Sequence, residues 1–111
     1  MAITGVLAQA TVRDLATAES WYERFFDRMP DSRPMDGLIE WYAADNFGVQ
    51  VWTEPDRAGS STVVLEVDDL DGFAARVRSL GLTDAVPQEA TASRVLPMED
   101  PDGNRIVVTG T

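Results

Sequence analysis

The chain has 111 residues, of which 44% are hydrophobic, and its net charge is −10. This length fits one domain with a single modest core. The acidic charge argues against nucleic acid and anionic membranes as partners. The sequence lacks cysteine, histidine and lysine, which excludes disulfides, thiol nucleophiles, Schiff bases and the commonest general base. Because there is no signal-peptide pattern and no apolar run near roughly 18 residues, we expect a cytoplasmic protein.

The first half of the chain predicts a strand, a helix and a hairpin. Residues 3–12 alternate like a strand that buries one face. That face holds Val6, Ala8, Ala10 and Val12. Asp14 is a candidate N-cap, and apolar residues at helical spacing follow it until Pro30 stops the helix. Residues 37–44 and 47–54 then predict a hairpin around a two-residue turn.

The second half repeats this order at a fixed offset of 55 residues. Residues 61–67 predict a strand, Asp69 is the matching N-cap, and Gly81 is a candidate helix end. Residues 84–98 supply two further strands, and residues 105–109 supply the last one after a turn. Helix positions that match at one offset indicate a duplicated unit.

The domain prediction follows from this repeat. We expect an α+β fold in a single domain, residues 1–111. Its modules, each of the order βαβββ, span about residues 3–54 and 61–111, and residues 55–60 link them.

The strand face that points away from the helices is available for a ligand. A turn at Asp45-Asn46 would pair Trp41 with Gln50 and Ile39 with Trp52, so these four side chains would share that face. The predicted ligand-binding residues are Leu7, Gln9, Ile39, Trp41, Gln50, Trp52, Thr62, Val64, Glu66, Arg105 and Val107. This set suits a partly aromatic ligand, because it combines tryptophan and aliphatic groups with two amides, one carboxylate and one guanidinium. Large residues on an open sheet face are equally suited to pack against a second subunit or against the other module.

Three motifs resemble the vicinal oxygen chelate superfamily, which includes glyoxalase I, extradiol dioxygenases and the fosfomycin and bleomycin resistance proteins. They are the helix starts at residues 12–15 (VRDL) and 67–70 (VDDL), and the turn at residues 99–106 (EDPDGNRI). The resemblance covers essentially the whole chain. It implies that the two βαβββ modules form a cup-shaped mixed sheet with the helices on its outer face, usually in a homodimer.

The resemblance also implies where a metal would bind. Enzymes of this superfamily hold a divalent metal with four side chains, mostly histidine and glutamate. The matching positions here are Leu7, Gln50, Thr62 and Val107, a set that is unsuitable for such a cation. We therefore expect no metal and no cofactor, as in the metal-free branch that resembles bleomycin resistance proteins.

Three functions remain open after these steps. The first is a metal-free protein that binds a small, partly aromatic molecule in a cavity on the concave sheet face. The second is a metal-independent lyase or isomerase with Glu66 as its general base. The third is a structural or regulatory dimer without a ligand. We favour a binding protein over a catalyst.

Overall fold

The first module forms an open, mixed, four-stranded sheet in the computed structural model, which describes residues 2–111. It contains β1 (Val6–Val12), α1 (Leu15–Phe26), β2 (Ser32–Met35), β3 (Leu38–Ala44) and β4 (Phe47–Thr53). The strand order is β1-β4-β3-β2, in which β1 is parallel to β4 and the other neighbours are antiparallel. β1 begins three residues later than the alternation predicts.

The second module repeats the first. It contains β5 (Thr62–Glu66), α2 (Leu70–Ser79), β6 (Gln88–Glu89), β7 (Arg94–Glu99) and β8 (Arg105–Gly110). The strand order is β5-β8-β7-β6, again with one parallel pair between its first and last strands. The predicted α+β fold of two βαβββ modules is confirmed.

Side-chain caps begin both helices, as the sequence predicts. Asp14 accepts a hydrogen bond from the backbone N–H of Thr17 at 3.0 Å, and Asp69 accepts one from Gly72 at 3.0 Å. α1 ends before the predicted proline, because Asp27 adopts a left-handed conformation as its C-cap. Gly81 follows the C-cap of α2 with φ at 75°, a conformation that costs glycine little.

The two modules share one hydrophobic core. Phe25 of α1 and Phe73 of α2 lie edge to face, with ring centroids 5.3 Å apart. Arg76 of α2 donates to the backbone carbonyls of Arg24 and Phe25 at the end of α1. No helix within residues 2–111 is both long and apolar enough to cross a membrane.

A buried polar cluster ties the second module to the first. Asn104 is 0% exposed; its Nδ2 donates to the Thr11 carbonyl and to Asp100 Oδ2, both at 2.8 Å. Its Oδ1 accepts from the Ser61 N–H at 2.8 Å, and the Tyr22 hydroxyl donates to Asp100 at 2.7 Å. Burial, with the nearby Asp100 charge, raises the pKa of the Tyr22 hydroxyl above its ordinary value.

The predicted register of the β3–β4 hairpin is wrong by one residue. Ala44 pairs with Phe47, as a two-residue turn requires, but the ladder then shifts so that Trp41 pairs with Val49. Ala43 is the extra residue of this β-bulge. A one-residue shift exchanges the two faces of a strand, so Ile39 and Trp41 lie on the helix side and not on the open face.

Burial explains why the bulged register is preferred. Trp41 is 1% exposed, its ring stacks on Phe26 with centroids 5.1 Å apart, and its Nε1 donates to the Arg28 carbonyl at 3.0 Å. The predicted register would instead turn the Glu40 carboxylate into the core. Burying a carboxylate among apolar groups costs several kcal/mol, whereas burying a large apolar side chain stabilises the fold by roughly 1.5–3 kcal/mol.

Candidate functional site

The open face of the first sheet carries side chains from three neighbouring strands. Gln9 of β1 pairs with Gln50 of β4, which in turn pairs with Glu40 of β3. Two residues further along, the same three strands bring together Thr11, Trp52 and Leu38, in which Trp52 pairs with both of the others. Paired residues project from the same face, so the register brings amides, a carboxylate and an indole together.

Four of these side chains, together with Tyr42 of β3, form a continuous hydrogen-bonded row, which we call the amide row: Thr11, Gln9, Gln50, Glu40 and Tyr42. Gln9 Nε2 donates to Gln50 Oε1 at 2.6 Å, and Gln50 Nε2 donates to Glu40 Oε2 at 2.8 Å. The Thr11 hydroxyl donates to Gln9 Oε1 at 3.4 Å, and the Tyr42 hydroxyl donates to Glu40 Oε1. Glu40 is not among the residues predicted from the sequence, although a glutamate between Ile39 and Trp41 in a strand is itself a sign of the bulged register.

The Glu40 carboxylate is buried without an opposite charge. It is 5% exposed, and it takes part in none of the ion pairs formed within residues 2–111. The Tyr42 hydroxyl donates to this carboxylate, and this hydrogen bond raises the pKa of Tyr42. Two neutral donors, the Gln50 amide and the Tyr42 hydroxyl, therefore satisfy the oxygens of the carboxylate.

Trp52 supplies the aromatic surface of the open face. Its side chain is half-buried, and Nε1 donates to Glu54 Oε1 at 3.1 Å. The indole N–H is thus satisfied within the protein while part of the ring stays accessible. An accessible ring of this kind can stack on a planar ligand.

The open face of the second sheet carries most of the other predicted residues. Val64 of β5, Val107 of β8 and Pro97 of β7 lie in one row across the strands, and Thr62 pairs with Arg105. Glu66, the candidate base, is exposed at the end of β5. The row of Val64, Val107 and Pro97 is the equivalent, in the second module, of Gln9, Gln50 and Glu40 in the first. The equivalence follows because Gln9 and Val64 are separated by the 55-residue offset.

A separate cleft of about 440 Å³ lies where the start of the first sheet meets β5. Its lining is mainly apolar and includes Val6, Phe26, Trp41, Phe47, Val64 and Glu66. Trp41 therefore borders this cleft and does not line the open face. Phe26 and Phe47 are not among the site residues predicted from the sequence, because the contact between modules that forms the cleft has no local pattern.

Solved structures resemble this chain over almost its whole length, although no family model matches the sequence and no curated protein matches it. A glyoxalase/bleomycin resistance protein from Catenulispora acidiphila DSM 44928 has a TM-score of 0.86 at 24% identity, over 96% of this chain and 97% of that one. TnmS3, an antibiotic-binding protein from Streptomyces sp. CB03234, has a TM-score of 0.83 at 24% identity, over 99% of this chain and 98% of that one. A bleomycin-binding protein complexed with bleomycin has a TM-score of 0.75 at 19% identity, over 96% and 97%.

The chain has the fold of the glyoxalase/bleomycin resistance proteins. These neighbours are consistent with the vicinal oxygen chelate superfamily that the sequence motifs resemble. The Asp-Pro-Asp-Gly-Asn turn, the most specific of those motifs, supplies the buried Asp100 and Asn104 that join the modules.

The residues present do not fit the metal that enzymes of this fold hold. Leu7 and Val107 offer no donor atom, and the side-chain oxygen of Gln50 already accepts a hydrogen bond from Gln9. Within residues 2–111, no group of three or more histidine, cysteine, aspartate or glutamate side chains is arranged to hold a metal ion.

Proposed function

We propose that this protein binds a small, partly aromatic molecule on the open sheet face without using a metal. The observation that carries the proposal is the partly exposed Trp52 ring beside the amide row, on a face that the helices leave uncovered. An apolar, aromatic surface with a few convergent polar groups is typical of small-molecule sites. Two proteins of the same fold are described as antibiotic-binding and bleomycin-binding, which supports this class of ligand.

Electrostatics favours a ligand that carries positive charge. The net charge of −10 attracts cations over a distance of about a Debye length, roughly 8–10 Å. A planar cation on Trp52 would gain about 0.5–2 kcal/mol from stacking and cation–π attraction beyond the burial of its area.

We also propose that the protein is a homodimer. Val6, Phe47 and Val64 surround the cleft between the modules and are 67%, 52% and 62% exposed. Contiguous exposed apolar groups of this kind are typical of protein interfaces. Isologous pairing of two copies is the commonest way in which such a surface becomes covered.

Calorimetric titration with bleomycin and with ethidium tests the binding function. We expect Trp52→Ala to weaken binding of the aromatic probe by about 5- to 150-fold, equivalent to 1–3 kcal/mol, with its melting temperature nearly unchanged. The matched control is Phe47→Ala, which removes an aromatic ring from the cleft and should leave the affinity unchanged. Absence of binding by both probes, or an unfolded Trp52→Ala variant, would contradict the proposal.

A further inference from the structure

The geometry points to a specific role for the amide row: Glu40 fixes its hydrogen-bonding direction, and the row recognises a planar carboxamide-like group on the ligand. Such a group carries an N–H donor and a C=O acceptor side by side, as in a primary amide, a urea or a ring lactam. This inference rests on the proposed binding function. It adds the chemistry of one part of the ligand and a positioning residue that the sequence analysis did not identify.

The direction of the row follows from the chemistry of a carboxylate. An ionised carboxylate only accepts hydrogen bonds, so Gln50 must present its NH₂ group to Glu40. The Gln50 carbonyl oxygen then faces β1, and Gln9 must present its own NH₂ group to that oxygen. The Thr11 hydroxyl completes the row by donating to the Gln9 carbonyl. One charged group thereby orients two amides whose oxygen and nitrogen ends would otherwise be interchangeable.

The oriented row leaves a defined set of groups for a ligand. Each glutamine uses one of its two N–H donors and one oxygen lone pair within the row, so one donor and one acceptor remain on each. Gln9 is exposed and Gln50 is half-buried, so these groups border the accessible face. A carboxamide complements a donor and an adjacent acceptor at the same time. An ester, which lacks an N–H, can satisfy only the donor.

The second module shows that the fold itself does not need this row. Its equivalent positions are Val64, Val107 and Pro97, which form an apolar row in the same register. A buried carboxylate without an ion-pair partner is costly, since its desolvation is not offset by an opposite charge. A polar row present in one module and absent from its repeat is therefore a feature of recognition and not of folding.

A pair of matched probes tests the inference: 2-naphthamide and methyl 2-naphthoate, which share the aromatic rings and differ in the amide N–H. We expect the protein to bind the amide about tenfold more tightly, the effect of one to two net hydrogen bonds. In Glu40→Gln, residue 40 can either donate or accept, so the row loses its fixed direction and the preference should fall below about threefold. Glu99→Gln removes a carboxylate from β7 of the second sheet and should keep the preference.

The outcomes separate the two proposals. Equal affinity of the wild-type protein for both probes, or a full preference retained in Glu40→Gln, overturns the role of the row and leaves aromatic binding intact. Binding of neither probe overturns the proposed function and the row together. If Glu40→Gln does not fold, Gln9→Leu removes the exposed amide. It should abolish the preference while keeping the affinity for the ester, and an unchanged preference in that variant would overturn the inference.

Discussion

Asn104 is the side chain on which the junction between the modules depends most. We expect Asn104→Ala to lower the free energy of unfolding by about 2–4 kcal/mol, because it leaves the Ser61 N–H without its acceptor and removes one donor each from the Thr11 carbonyl and from the buried Asp100. Chemical denaturation followed by circular dichroism measures this loss. The control is Asn46→Ala in the exposed turn of the first module, which should cost less than about 0.5 kcal/mol. Equal losses in the two variants would show that the cluster does not join the modules.

At the scale of the elements, the N-cap of α1 makes the stability of the protein depend on pH in a definite direction. The hydroxyl and backbone N–H of Thr17 donate to Asp14 and lower the pKa of that carboxyl below its ordinary value of 3.8. Because the pKa of Asp14 is lower in the folded state, the charged cap stabilises the protein at pH values above the pKa that Asp14 has in the unfolded chain. This stabilisation is lost as the pH falls through the pKa that Asp14 has in the folded protein.

The variant Asp14→Asn keeps the cap acceptor and removes the titrating charge. We expect its melting temperature to lie below that of the wild type near neutral pH. The two values should converge as the pH falls through the lowered pKa of Asp14, because the wild-type cap then becomes neutral as well. Melting curves recorded from pH 2 to pH 7 measure this difference. A difference that stays constant across the range would contradict the assigned cause of the shift.

The same elements show what could be predicted from the sequence. The helix starts at Asp14 and Asp69 and the repeat were predicted correctly, because caps and periodic stripes are local features. The face of Trp41 was not predicted correctly, because it depends on one extra residue, Ala43, whose position is decided by whether Trp41 or Glu40 packs against the helices. The ligand-binding roles of Gln9, Gln50, Trp52 and the residues of the second sheet remain predictions.

At the scale of the whole molecule, the exposed apolar groups around the cleft lead to a prediction about assembly. We expect light scattering to give twice the 12.1 kDa mass of one chain. Phe47→Asp should return the mass to that of a monomer, because a charge in an apolar interface is costly to desolvate. A mass of one chain across a concentration series would refute the dimer.

The most direct test of the central claim is an NMR titration of the ¹⁵N-labelled protein with bleomycin, observing the indole N–H groups. The three tryptophans report on different places: Trp52 on the open face, Trp41 in the core beside the cleft, and Trp21 stacked on Phe25 of α1. We predict that the Trp52 indole and the side-chain NH₂ signals of Gln9 and Gln50 shift, while the other two indoles do not. A shift of the Trp41 indole with Trp52 unchanged would place the ligand in the cleft between the modules and contradict the account.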